Sequence, residues 1–530
     1  MSTINNPILK GFNPDPSIIR VGNDYYIATS TFEWFPGVQI HHSKDLKNWK
    51  LVARPLNRQS QLNLVGVPDS CGVWAPCLSY SDGVFYLVYS NIHSFDGPWK
   101  DSPNYLVTTT DILGDWSEPT YLTSKGFDCS LYHDTDGRKW FLNLFADHRQ
   151  GKLFGGIEIQ EYSLEENKLI GKVKHLTHGT KIGLTEGPHL YKKDGHYYLL
   201  VAEGGTEYGH AMSIARSRTI DGLYEFHPEN PLISSAEDVN NLLQKAGHGD
   251  LVETQNGDWY TVFLVGRPLT TRGRCTLGRE TAIEEIVWKD NWPYLKNGGR
   301  IPRVKIPESS FPEFIHKKDP VRIDFNQEKL PIDFQSLRIP VSENWCSLSA
   351  RPGFLRLYGK QSLSSFHQQS LLARRVQSFN MEASTAIEFL PTTPQQMAGL
   401  IFYYNTGHYH YAHISANYEG NKRFLSIISA DNFEMQYQEE LVEVTDHDKI
   451  ILKGNMNRDK LQFYYSLGNE THHKLGIGLD ASILSDDYVK GTKKERPFFT
   501  GSFVGVCCQD LAMNRHHADF EWFEYKELEV

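Results

Sequence analysis

The chain reads as all-β: a five-bladed β-propeller over residues 1–300, a linker over 301–320 and a C-terminal β-sandwich over 321–530. Three observations predict this. A hairpin pattern returns five times, at intervals of about 60 residues, within the first 300 residues. Prolines and charges then crowd one stretch, with Pro302, Pro307, Pro312 and Pro320. Beyond it the chain alternates apolar and polar residues again, and no helical period lasts.

The repeat begins with a small or acidic residue, runs through an alternating strand, turns at a polar pair and returns as an aromatic-rich strand. Its copies are DPSIIRVGNDYYIATST from Asp15, APCLSYSDGVFYLVYS from Ala75, DCSLYHDTDGRKWFLNLF from Asp128, EGPHLYKKDGHYYLLVAE from Glu186 and GDLVETQNGDWYTVFLV from Gly249. Turns are expected at Asn23-Asp24, Asp82-Gly83, Asp136-Gly137, Asp194-Gly195 and Asn256-Gly257. Gly and Asn supply the positive φ that tight hairpins require. Each repeat leaves room for two more strands, and five four-stranded units make a propeller. One small sheet cannot cover its own faces, so its neighbours must. A single solenoid coil is too short to account for this period. In the last third, LRIPV, FLRLYG, TAIEFL, GLIFYYN, FLSIISA, LQFYYSLG and FEWFEY read as strands of a sandwich.

Length and composition agree. With 530 residues, the chain exceeds what one hydrophobic core supports. Its 42 Gly, 28 Phe, 27 Tyr and 11 Trp suit short strands, tight turns and a site that stacks rings against flat apolar faces. A formal net charge of −10 without a Lys/Arg cluster argues against nucleic acid or an anionic membrane as partner. The start, MSTINNPILKGFNPDP, lacks a basic region followed by an apolar run. No 18-residue apolar stretch occurs. Cys71, Cys77, Cys129, Cys275, Cys346, Cys507 and Cys508 are odd in number and irregular in spacing, which reads as reduced thiols and a cytoplasmic chain. Asn469-Glu470-Thr471 fits a glycosylation acceptor, a chance match in such a compartment.

Asp15, Asp128 and Glu186 each open the first strand of a repeat. The innermost strands of a propeller line its channel, so equivalent strand starts converge on one pit. Carboxyls crowded and desolvated there must part in pKa, leaving one protonated and one ionised at the same pH. Glycosidic hydrolysis needs that pair. Glu186 has the longer reach and suits the general acid. Asp15 suits the general base, and Asp128 would raise the pKa of Glu186 and orient the sugar. Acids at blade starts could instead cap turns or hold a structural cation, although the D-x-[DN]-x-[DN]-G calcium loop is absent.

The segments NPILKGFNPDPSI (6–18), YYIATSTFEWFPGV (25–38), VWAPCLSY (73–80), LTEGPHLY (184–191), GRCTLGRETAI (273–283) and FFTGSFVGVCCQD (498–510) together resemble glycoside hydrolase family 43, in its group of two-domain β-xylosidases. The resemblance implies a five-bladed propeller and inverting hydrolysis, with the same three roles for Asp15, Asp128 and Glu186. It also implies a β-sandwich that lends an aromatic side chain to the site, for which Phe499 and Phe503 are the candidates. Phe32 and Trp74 become expected pocket walls, Trp34 less clearly so. Arg279 is expected to bind sugar hydroxyls and hold Asp15 ionised, rather than pair with Glu280 or Glu284 on the surface. His248 matches the family's channel histidine, and Thr206 and Glu207 belong at the rim. A dimer or tetramer is also implied. Where related chains carry Trp in a W-D-x-R stretch, this one has Ala146 in LFADHR, which leaves the second sugar subsite open or filled by another ring.

A blind pit favours exo action, releasing terminal non-reducing β-1,4-linked xylose from xylobiose and short xylooligosaccharides. The alternatives are an α-L-arabinofuranosidase, an enzyme with both activities, and a non-catalytic carbohydrate-binding propeller that would keep the aromatics without needing Asp15 and Glu186 together. No cofactor is expected, beyond the option of a Ca²⁺ ion in the channel near His248.

Overall fold

A computed structural model of the chain describes residues 3–94, 99–151, 153–308, 311–468, 471–492, 498–513 and 515–528. Asn469 and Glu470 of the glycosylation triplet lie outside them. The described residues form five consecutive antiparallel sheets around a common axis. Blade I comprises Ser17–Val21, Asp24–Thr29, Gln39–Ser43 and Lys50–Ala53. Blade II comprises Gly72–Ser81, Val84–Ile92, Asn104–Thr109 and Thr120–Thr123. Blade III comprises Gly126–His133, Lys139–Phe145, Ile157–Ser163 and Lys168–Thr177. Blade IV comprises Glu186–Lys193, His196–Glu203, Ala211–Ser217 and Glu225–Phe226, with Ile233–Ser234 also paired to its third strand. Blade V comprises Gln244–Glu253, Trp259–Gly266, Arg279–Lys289 and Trp292–Leu295.

The predicted hairpins form, with one correction. In blade I, Val21 pairs with Asp24, so the turn is Gly22-Asn23 and not Asn23-Asp24. Gly22 takes φ +63°, which glycine adopts without a Cβ clash and which draws the turn one residue earlier. In blades II and IV both turn residues are left-handed, Asp82-Gly83 and Asp194-Gly195, as the primed turn requires.

The 301–320 segment is more than a linker. Lys305–Pro307 pairs antiparallel with Thr3–Asn5, so the two ends of the propeller meet. Ile4 and Ile306 are buried there with Val262 and Ile283 of blade V. The prolines obscured this strand in the sequence, because Pro307 sits at its last position, where a missing N–H is tolerated.

The second domain is a sandwich of two large antiparallel sheets over an apolar core that includes Leu400, Phe402, Leu452, Phe463, Phe520 and Phe523. Among the described residues its one α-helix is Asp486–Thr492. Trp34–Phe35, which follows blade I's second strand, pairs with Gln335–Leu337 and so extends a sandwich sheet. A shared core, including Trp34, Leu337, Tyr403 and Phe503, therefore joins the domains. Among the described residues no helix is long and apolar enough to cross a membrane.

Candidate active site

A left-handed residue stands on or just before each blade's innermost strand, near the same mouth of the channel: Asp15, Ala75, Asp128, Gly187 and His248. The pairing register shifts there in blades II to V. Such a bulge breaks the pleat and re-aims side chains that strict alternation would send into the sheet packing. The repeat thus has two inward-facing positions. Asp15 and Asp128 occupy the left-handed one. Glu186 occupies the preceding one, which holds Trp74 in blade II and Phe127 in blade III. This corrects the expectation that the three acids are strictly equivalent. At the left-handed position of blade IV only glycine fits, because a Cβ on Gly187 would meet His248 Nε2 at 2.9 Å.

These residues surround a cavity of about 370 Å³. Asp15, Phe32, Trp74, Asp128, Glu186, Thr206, Glu207, His248, Arg279 and Phe499 all line it, as the sequence led us to expect. Phe503 does not. It is fully buried between the domains, stacked on Trp34 with ring centroids 3.8 Å apart. It lies in a regular strand whose register fixes it inside the core, whereas Phe499 precedes that strand and lines the cavity. Trp34 belongs to the same core and not to the pocket wall.

Asp15 is held from two sides. Arg279 Nη1 donates to its Oδ1 at 2.9 Å and Ser30 Oγ donates to its Oδ2 at 2.6 Å. Ser30 is in turn fixed by the N–H of Ala75, at 2.8 Å. Arg279 Nη2 also donates to the carbonyl of Phe499 at 3.0 Å, so one guanidinium ties the acid of blade I to the sandwich. The Phe499 N–H donates to Ser70 Oγ at 3.1 Å, and its ring meets Trp74 edge-on at 5.5 Å. The second domain therefore supplies a wall of the cavity.

Glu186 and Asp128 are both shifted upward. Burial, reinforced by the neighbouring Asp128 charge, pushes the Glu186 carboxyl well above the usual carboxylate range. Burial, followed by the charge of Asp15, raises Asp128 to about 7. Lys100 opposes both shifts electrostatically, and burial lowers its own ammonium to about 8. Its Nζ lies 4.2 Å from the Phe127 ring centroid and 5.1 Å from that of Trp74. His248 is lowered to about 4 by burial and so is neutral near pH 7. Its Nδ1 stands 3.9 Å from Asp15 and 4.0 Å from Asp128, too far for a direct hydrogen bond.

Sequence reasoning missed Lys100, Phe127, Phe154, Leu184 and Lys490, which also line the cavity. Phe127 was discoverable, since it precedes Asp128 as Trp74 precedes Ala75. Lys100 and Phe154 lie on connections between strands, where the repeat carries no register. Phe154, 6.2 Å from Phe127 between ring centroids, lines the cavity, whereas Ala146 does not. Thr206 and Glu207 stand at the rim, and Glu207 pairs with Lys490 of the sandwich helix.

Among the described residues no group of three or more His, Cys, Asp or Glu is placed to hold a metal ion. At the other mouth of the channel, a cavity of about 320 Å³ contains Asp250. That carboxylate is taken up by Ser17 Oγ at 3.0 Å, the Ile18 N–H at 2.9 Å and the Tyr191 hydroxyl, which join blades I, IV and V.

The arrangement can donate a proton from a buried, protonated carboxylic acid and accept one at an oriented carboxylate, across a cavity with aromatic walls. Comparison with known proteins agrees. Residues 4–293 match the family described as Glycosyl hydrolases family 43, and residues 322–526 match the Beta xylosidase C-terminal Concanavalin A-like domain. The chain is 51% identical over 536 residues to a Beta-xylosidase of Bacillus subtilis, covering 99% of each chain. It is 47% identical over 535 residues to Xylosidase/arabinosidase 43B of Humicola insolens, covering 100% of this chain and 98% of that one. The crystal structure of xylan beta-1,4-xylosidase from Bacillus halodurans superposes with a TM-score of 0.96 at 50% identity, covering 99% of this chain and 100% of that one.

Proposed function

This chain belongs to glycosyl hydrolases family 43, and from that premise we propose that it is an exo-acting β-xylosidase. It removes terminal non-reducing β-1,4-linked xylose from xylobiose and short xylooligosaccharides with inversion. The observation that carries this reading is the cavity itself: three carboxyls and Arg279 at one mouth of the channel, walled on one side by Phe499 of the second domain. A cavity walled in this way receives a chain end more readily than a chain interior.

In the proposed reaction, Glu186 holds its proton near neutral pH and delivers it to the departing glycosidic oxygen. Asp15, oriented by Arg279 and Ser30, takes a proton from a water that attacks the anomeric carbon from the opposite face. The bond to the leaving sugar breaks as the bond to water forms, and the anomeric configuration inverts. Asp128 raises the affinity of Glu186 for its proton, while Lys100 limits that rise. Phe32, Trp74, Phe127 and Phe499 offer apolar faces to the ring, and Arg279, Thr206 and Glu207 offer polar atoms to its hydroxyls.

The test follows release of 4-nitrophenol from the β-D-xyloside and from the α-L-arabinofuranoside, with Glu186→Ala as control. Predominant xyloside cleavage that the variant loses is expected. No cleavage of either by the folded parent would overturn the reading. Predominant arabinoside cleavage would support the second reading, an α-L-arabinofuranosidase, which the relation to a xylosidase/arabinosidase favours. The reaction requires no cofactor in this reading, so dialysis against a chelator is expected to leave the rate unchanged. Loss that calcium restores would instead place a cation near His248. We assign the chain to the cytoplasm, consistent with seven buried cysteines outside any disulfide, and to a homo-oligomer of two or four copies, which light scattering would test.

A further inference from the structure

Propeller and sandwich line a third cavity, of about 940 Å³, which the proposed reaction does not use. Gln39 and His41 of blade I line it from one side, and Asp333, Arg374 and Arg375 of the sandwich from the other. Arg54 stands behind Gln39 and donates to it through Nη2 at 2.9 Å. Arg54, Arg375 and His41 are each more than nine-tenths buried.

These cations and the imidazole are incompletely satisfied. Arg375 Nη2, Arg374 Nε, Arg54 Nη1 and His41 Nδ1 are buried with no hydrogen-bond partner among the described residues. Buried donors without acceptors are rare and costly in folded proteins. Charge is also unbalanced. Asp333 is the acid that acts on both Arg54 and Arg375, and it lies 3.5 Å from Arg374 Nη1. One carboxylate thus answers three guanidiniums. Of the rim lysines, Lys10 pairs with Glu527, Lys47 with Glu308 and Lys50 with Asp319. Burial lowers Arg54 to about 9 and draws Arg375 down as well, as expected where cations lack counter-charge.

We propose that this interdomain cavity binds a small oxyanion of the phosphate or sulfate type, seated between Arg374 and Arg375 of the sandwich and His41 of blade I. The anion supplies both the missing acceptors and the missing negative charge, and guanidinium forks match tetrahedral oxyanions in geometry. Its binding joins the two domains. It also touches the catalytic pocket indirectly: Arg375 Nε donates to the carbonyl of Phe12 at 2.5 Å, and the Phe12 ring lies 5.5 Å from Phe32.

Inorganic phosphate is the probe. Equilibrium dialysis of the full chain against radiolabelled phosphate, at constant ionic strength, is expected to show one saturable equivalent per chain that sulfate displaces. The unfolding midpoint should rise as phosphate replaces chloride and follow the occupancy. KM for the xyloside should not change. Arg375→Gln is expected to abolish binding. Because that variant also loses the contact with Phe12 and could misfold, Arg374→Gln serves as the second, with affinity lowered about tenfold through loss of one charge-assisted bond. Absence of saturable binding by the parent would overturn the proposal. So would phosphate that competes with substrate, or binding that survives in both variants.

Discussion

Asp128 and Lys100 act on the same proton from opposite sides, and this gives the site a signed pH signature. The general acid works only while protonated, so activity falls as pH rises through the Glu186 pKa. Asp128 raises that pKa and Lys100 lowers it. Asp128→Asn is therefore expected to move the alkaline limb of the kcat/KM profile to lower pH. Lys100→Met is expected to move it to higher pH. Equal shifts in one direction would contradict the assignment. Glu186→Gln should lower kcat on xylobiose by about 10²- to 10⁴-fold, the usual worth of a general acid. The loss should be smaller with the 4-nitrophenyl xyloside, whose leaving group needs little protonation.

At the scale of elements, the site rests on the left-handed residue at the start of each inner strand, bulged in blades II to V, and on one strand entry in the sandwich. Phe499 reaches the pocket because it precedes the strand Phe503–Asp510, and its main chain is pinned at both ends, to Ser70 and to Arg279. Phe499→Ala removes one aromatic wall while leaving the carboxyls in place. We expect kcat/KM to fall roughly 3- to 10-fold, in proportion to one lost aromatic contact, with the pH profile unchanged. A shifted profile would mean that Phe499 also sets the electrostatics of the acids. The repeat itself was legible in the sequence, because turn residues and strand alternation are local. The left-handed φ of Asp15, Asp128 and His248 was not, since no turn residue marks those positions. Only when they are seen does Glu186 prove to share a position with Trp74 and Phe127.

For the molecule as a whole, the domains are held together by a buried ion pair as well as by the shared apolar core. Arg338 of the sandwich donates to Asp69 at 2.7 Å, with both side chains almost fully buried. Burial and the Asp69 charge push the adjacent Glu33 up to about 8, and Glu33 accepts from the N–H of Ser70, the residue that anchors Phe499. Arg338→Ala would strand the Asp69 charge and should cost about 3–5 kcal/mol in denaturant unfolding. Activity should decline with it, through Ser70 and Phe499. A loss below about 1 kcal/mol would show that the pair contributes no more than an exposed one.

By itself the sequence determined the all-β class, the five repeats, the second domain and the three carboxyls, because hairpin turns, alternation and recurrent motifs are written in neighbouring residues. The tertiary structure alone decided which aromatic reaches the pocket, since Phe499 and Phe503 differ only in where a strand begins. It also decided the part played by Lys100, a loop residue whose charge matters only beside Glu186 and Asp128. And it decided that the supposed linker closes the propeller, because Ile4 and Ile306 are buried only once the two ends of the ring have met.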